Sequence, residues 1–310
     1  MIQHSIDLNS IGGTGPIQLI RKEGVKLAYR DTNSGSSPIL FVHGWGCDHT
    51  AFAPQAEFFR RSHRVVSVDL RGHGKSDAPH QEYTMAGFAN DLAWLCSELA
   101  LTKPTVVGHS MGGNVALELA ARYPEIPVAV VLIDSLILPP QSVIDALQST
   151  EEALQGPDFQ TTYRQAMLSL CPPNDDETRK RQLIASLPKA PQHVIASAFT
   201  NHVTDYDAAR AAAGCRVPTA YISSYLGSHL GAAIPMSDLI RFRSLTQHLL
   251  TAETLGSGHF SPLFVPDQIN SMLSTFVQLH LPASPDRRLE FQKRREKKYR
   301  KQETDLRSRN

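Results

Sequence analysis

Ser110 sits in Gly108-His-Ser-Met-Gly112, after the β-branched run Thr105-Val-Val107 and before an Ala- and Leu-rich stretch with helical spacing. Strand, Gly-x-Ser-x-Gly, helix is the pattern that presents a serine hydroxyl at a sharp turn. Crowding explains the two glycines, because a chain bent that tightly has no room for side chains two positions before or after the serine. The turn exposes the hydroxyl at the carboxyl edge of a sheet and aims a helix N-terminus at whatever reacts there. Attack on a carbonyl would build charge on oxygen, and the N–H of Met111, next in the chain, is placed to receive it. An unassisted hydroxyl is a weak nucleophile, so a base must reach it from elsewhere in the chain.

The surrounding pattern supplies elements that could hold such a site. Ile17 to Ala28 alternates apolar and polar residues about Gly24, which predicts an antiparallel hairpin. Asp31 to Pro38 reads as a polar loop, and Ile39–Val42, Val65–Val68, the elbow strand and Val128–Ile133 read as strands buried on both faces. Helical patterns lie between them, at Ala51–Phe59, at Thr84–Leu99 with Thr84 as cap, and after Ser110. The rhythm is α/β, a mostly parallel sheet flanked by helices. It breaks after Ser135. Residues 136–213 are helical with breaks at Pro139-Pro140, Gly156-Pro157, Pro172-Pro173 and Pro188, the reading of an inserted cap over the strand ends. The α/β pattern resumes at Val217–Ser223 and closes with a helix from Pro266 to Leu281. The core is therefore expected to be 1–135 with 214–282, the cap 136–213, and the remainder, 283–310, a flexible basic tail.

Charge is close to balanced over the 310 residues, at a formal +1, but Ala283 to Asn310 carries eleven Lys or Arg against five Asp or Glu. The body is thus mildly acidic, with no pull toward nucleic acid outside the tail. Four widely spaced cysteines without a C-x-x-C read as free thiols, Cys47 among them near the expected site. No apolar run reaches the length of a membrane helix, and the start of the chain has no leader pattern, so a cytoplasmic protein is expected. His202, Asp205 and Asp207 do not form a metal-ligand spacing, and no metal or cofactor is expected.

Four motifs in order, His43-Gly-Trp-Gly46, Asp69-Leu-Arg-Gly-His-Gly-Lys-Ser76, Gly108-His-Ser-Met-Gly-Gly113 and Gly256-Ser-Gly-His-Phe260, resemble those of the α/β-hydrolase family. The resemblance runs from about Ile17 to Leu281. It implies that His259, near the carboxyl end, is the base among thirteen histidines. It implies Trp45 N–H as the second oxyanion donor beside Met111 N–H. The acid that orients the histidine is usually in the loop after the strand that here ends at Ser223, yet Ser224 to Gly231 holds no carboxylate. Asp134, at the end of the preceding core strand, is the expected acid, as in some branches of the family, and Asp238 is the runner-up. His43, Arg71, His73 and Asp77 read as loop-fixing groups.

These readings describe a serine hydrolase that cleaves a partly apolar carboxylic ester or lactone through an acyl-enzyme. Alternatives that keep the same residues are a diketone C–C hydrolase, a cofactor-free oxygenase, and a ligand receptor built on a hydrolase site. Phe159, Tyr163, Met167, Leu168 and Phe199 could line the substrate chamber or form the cap's own core.

Overall fold

The computed structural model describes residues 15–280 apart from 174, 225–235 and 247, and of residues 236–238 it describes the backbone alone. The basic tail therefore lies outside the described residues. Eight strands form one sheet: β1 (Gln18–Lys22), β2 (Val25–Asp31), β3 (Ser36–Val42), β4 (His63–Asp69), β5 (Thr105–His109), β6 (Ala129–Ile133), β7 (Thr219–Ser224) and β8 (Leu249–Thr254). Their order is β1-β2-β4-β3-β5-β6-β7-β8. The hairpin about Gly24 is antiparallel and β2 pairs antiparallel with β4; every other pair is parallel. The β3 strand starts earlier than its apolar run. Ser36 pairs with His63, and a register shift before Ile39 absorbs Ser37 at positive φ and Pro38, which has no N–H for the ladder.

The short apolar strands work because both faces are covered. Leu40, Val42, Val66, Val68, Val106 and Val130 pack on one face with α2 (Met85–Glu98) and α3 (Met111–Arg122). Ile39, Phe41, Val65, Val107 and Val131 pack on the other with α1 (Ala53–Phe59) and α11 (Pro266–His280). Helix α2 begins where expected, with Thr84 Oγ1 accepting from Gly87 N at 2.9 Å.

Between β6 and β7 run α4 (Gln141–Leu154), α5 (Phe159–Ser169), α6 (Glu177–Ser186), α7 (Gln192–Val203) and α8 (Ala208–Gly214), while α9 (Met236–Leu245) follows β7 and α10 (Ser261–Phe264) precedes α11. Helix α8 packs against α3 of the core. Helix α7 and the turn between α5 and α6 meet loops that follow core strands. The Trp45 indole N–H donates to Ile195 O at 2.9 Å, Tyr83 N donates to Ser197 Oγ at 3.0 Å, and Pro172 occupies the space a Cβ on Gly258 would need. Those three contacts lie on the loops after β3, β4 and β8 respectively, at the strand ends from which the elbow turn also leaves. No helix among the described residues is long and apolar enough to cross a membrane.

Candidate active site

Ser110 joins β5 to α3 with φ 54° and ψ −124°, a backbone conformation that a residue with a side chain rarely adopts. Holding it costs on the order of 1–3 kcal/mol, which the packing around it must offset. The glycines do that. A Cβ on Gly108 would collide with the backbone of Gly112 and Gly113, and one on Gly112 with the carbonyls of Val42 and His43. One on Gly113 would strike Ser135 Oγ. Around this turn the backbone passes at glycine distance from β3 and from the chain after β6. Ser110 itself is half-buried.

His259 lies on the loop between β8 and α10, and its Nδ1–H donates to Asp134 Oδ2 at 2.7 Å. Asp134 ends β6 at φ 48°, its N–H held by Ile222 O at 2.8 Å. Its other carboxylate oxygen accepts from Ser224 N at 3.1 Å and Ser224 Oγ at 2.9 Å. The carboxylate is thus anchored from one side and turned to the histidine on the other. A proton on Nδ1 leaves the Nε2 lone pair as the basic site. Ser110 Oγ and His259 Nε2 are not hydrogen-bonded to each other; such bonds commonly close only when substrate is in place. The two residues are linked through His109. Its ring packs 4.7 Å from that of His259, and its Nε2–H donates to His259 O at 2.8 Å. Burial, then the neighbouring His259, lowers the His109 pKa to about 3, so this imidazole stays neutral.

The N–H groups of Trp45 and Met111 have no hydrogen-bond partner among the described residues. The loop that carries Trp45 runs against Ser110, since a Cβ on Gly44 would stand 3.1 Å from Ser110 Cβ. The Trp45 ring faces the inserted helices, 5.0 Å from Tyr163 and 5.2 Å from Phe199 between centroids. Tyr163 OH donates to Gly46 O at 2.7 Å, where glycine leaves room for the ring. Tyr163 and Phe199 therefore brace the loop, and Met167 is buried within the helices.

His43 and the loop after β4 are bonded as structural groups. His43 Nδ1–H donates to Gly44 O at 2.8 Å while Nε2 accepts from Leu70 N at 3.0 Å, and burial holds its pKa near 3. Arg71 makes a two-pronged bond to Asp91 at 2.8 and 2.6 Å, and Asp77 receives Lys26 N at 3.0 Å. Cys47 is buried, which pushes its thiol up to about 12 and keeps it from being a thiolate nucleophile. All four cysteines are free, and no cluster of three metal-binding side chains occurs among the described residues. The Asp238 side chain lies outside the described residues.

Two features had no signal in the sequence. Ser224, at the end of the strand after which the family usually keeps its acid, holds the Asp134 carboxylate, and His109 turns back to the backbone carbonyl of His259.

Comparison with known proteins follows the geometry. A family model for the α/β hydrolase fold matches residues 37–167. With the sheet order, this gives the chain an α/β-hydrolase fold, an eight-stranded, mostly parallel sheet flanked by helices. A bifunctional esterase/perhydrolase of Acinetobacter calcoaceticus is 33% identical over 142 residues, 41% of this chain and 51% of that protein. A 2-(acetamidomethylene)succinate hydrolase of Mesorhizobium japonicum is 35% identical over 120 residues, 38% of this chain and 43% of that protein. The chain thus spans about half or less of the length of these curated relatives. Among solved structures, an enol-lactonase from Burkholderia xenovorans superposes with a TM-score of 0.73 at 22% identity, covering 84% of this chain and all, 100%, of the other. A thermophilic esterase from Thermogutta terrifontis gives 0.71 at 24% identity, covering 86% and 100%. At those identities the likeness is one of fold.

Proposed function

We propose that this chain is a serine hydrolase of carboxylic esters or lactones. One observation carries the reading: the 2.7 Å bond from His259 Nδ1 to Asp134 Oδ2, beside a serine held at positive φ between strand and helix. Ser110 Oγ attacks the carbonyl carbon as His259 Nε2 takes its proton. The carbonyl oxygen, now negative, rests on Trp45 N–H and Met111 N–H. His259 passes the proton to the leaving oxygen, and the acyl group stays on Ser110. Water then repeats the sequence with the same base and frees the acid. Asp134 keeps the imidazole in the right tautomer and stabilises its charged form. Proton transfer and oxyanion binding meet every step, so the reading calls for no cofactor. Helices α4–α7 serve as a cap that shapes the chamber, with the Trp45 loop braced against them. The enol-lactonase and the thermophilic esterase named above share the fold, and with the esterase relative they support ester chemistry over other uses of it.

The test is turnover of p-nitrophenyl butyrate and of an ester, lactone and diketone panel by wild type and Ser110→Ala. The expected result is ester or lactone turnover that falls by about 10⁴-fold or more in the variant. Wild-type rates in Ser110→Ala, or turnover of the diketones alone, would overturn the reading.

A further inference from the structure

Helix α6 is pinned to α10 near its start, where the Arg179 guanidinium lies 4.9 Å from the centre of the Phe264 ring. Toward its end, Leu183, Leu187 and Pro188 form one wall of a cleft, and Pro262 and Leu263 form another. The cleft holds about 390 Å³ of empty space, part of it open to solvent. Exposed Ser186 marks its mouth, and buried His109 and Phe260 line its inner end. Ser110, His259 and Trp45 do not line it, so it lies beside the proposed reacting centre rather than in it.

The inner end touches what holds the base. His109 Nε2–H donates to His259 O at 2.8 Å, and the two rings are 4.7 Å apart. The Phe260 ring stands edge-on to His259 at 5.3 Å. Whatever fills the cleft therefore packs on two rings that flank the base.

The lining sets the chemistry of the occupant. A space of this size takes a small molecule, and its alkyl and aryl walls favour an apolar body over water. The polar rim narrows the choice. Ser186 Oγ donates to Leu183 O at 2.7 Å, and Thr50 Oγ1 donates to Asp48 Oδ1 at 2.5 Å. Both hydroxyl protons are used within the chain, which leaves lone pairs facing a ligand. The His109 ring, its Nε2–H already given to His259, keeps only the Nδ1 lone pair. Asp48 adds negative charge, and no lysine or arginine lines the cleft. The polar end of the occupant must then be a donor, and a carboxylate is excluded.

We propose that this cleft is a second ligand site, for a small aryl or alkyl molecule ending in a hydrogen-bond donor, an alcohol or an amine, and that its occupant steadies the base through His109 and Phe260. The site stands without the hydrolase reading; only its effect on the base rests on it.

Benzyl alcohol and benzoate share a ring and differ in the end group. They are titrated by saturation-transfer NMR against protein whose Ser110 carries an organophosphonate, so that binding beside the serine is not counted. Benzyl alcohol should bind with a Kd of about 1 mM, within reach of so small a ligand, and benzoate about tenfold more weakly or worse. Leu187→Trp, which fills the cleft from its wall, should weaken benzyl alcohol by about tenfold. Ser186→Trp, from an exposed position, should do the same and keeps the test in force if the first variant unfolds. Equal affinity in wild type and a folded, plugged variant overturns the site, as does benzoate binding as tightly as the alcohol. In unlabelled enzyme, the p-nitrophenol burst precedes any use of the alcohol as acyl acceptor. Benzyl alcohol should quicken it by about fivefold in wild type and not in Leu187→Trp. An unchanged burst in wild type overturns the effect on the base. Failure of the phosphonate to label Ser110 sinks the hydrolase reading instead, and the plugged variants, compared on unlabelled protein, still decide the cleft.

Discussion

Two histidine–aspartate pairs in this molecule have the same length and different surroundings. His259 Nδ1 lies 2.7 Å from Asp134 Oδ2, and His49 Nδ1 lies 2.7 Å from Asp69 Oδ1. Both carboxylates are buried. Asp69, however, also accepts from His49 N at 2.7 Å and Lys75 N at 2.8 Å, and Gly74 is glycine because a Cβ would fall on that carboxylate. Its histidine ends in a buried Nε2 with no partner. Asp134 is anchored by Ser224 alone on one oxygen, and its histidine shares a packed imidazole pair with the residue next to Ser110. The bond length does not distinguish the two pairs. Their surroundings do: the first histidine packs on the residue next to the strained Ser110, and the second ends in an orphaned nitrogen.

The largest expected effect breaks the first pair. Asp134→Asn should lower kcat/KM for an ester by about 10⁴-fold while the fold persists by circular dichroism. The same change at Asp69 should leave activity per folded molecule within about threefold, and lower unfolding free energy by about 1–3 kcal/mol in urea. Equal losses of activity in the two would erase the distinction. Asp238→Asn should stay close to wild type; a collapse there, with Asp134→Asn active, would move the acid to α9.

Acid should weaken the fold through its buried imidazoles. His43, His109 and His202 titrate near 3 in the fold and near 6.5 when unfolded. Between those values the unfolded chain binds protons the folded one refuses, so stability falls as pH drops from about 6.5 toward 3. Each contributes about 1.4 kcal/mol per pH unit within that window. His109→Gln should make the slope shallower by one such share in urea titrations at pH 7, 6 and 5. Asp69 acts lower on the scale. Burial pushes its carboxyl up, but the bonds from His49 and Lys75 outweigh that and leave it below its ordinary value. Its contribution is present above the unfolded value and disappears as pH falls through the folded one. The smallest effect belongs to Cys47→Ala, which should change kcat/KM by less than about threefold, because the thiol is not ionised.

Much of this was legible before folding. The glycines around Ser110 answer a steric demand within five residues, and the doubly buried strands announce themselves as unbroken apolar runs, so both follow from local sequence. The early start of β3 was hidden because its first residues are Ser and Pro, held there by pairing to His63 and by a bulge. The alternative between Asp134 and Asp238 was open in the sequence because neither position carries a local mark of partnership. Asp134 and His259 are 125 residues apart and meet only when the parallel sheet sets the end of β6 beside the loop after β8. The orientations of His109, Trp45 and His202 belong to the same class. A side chain's direction in a crowded interior is set by neighbours from distant segments, and those neighbours exist only in the packed fold.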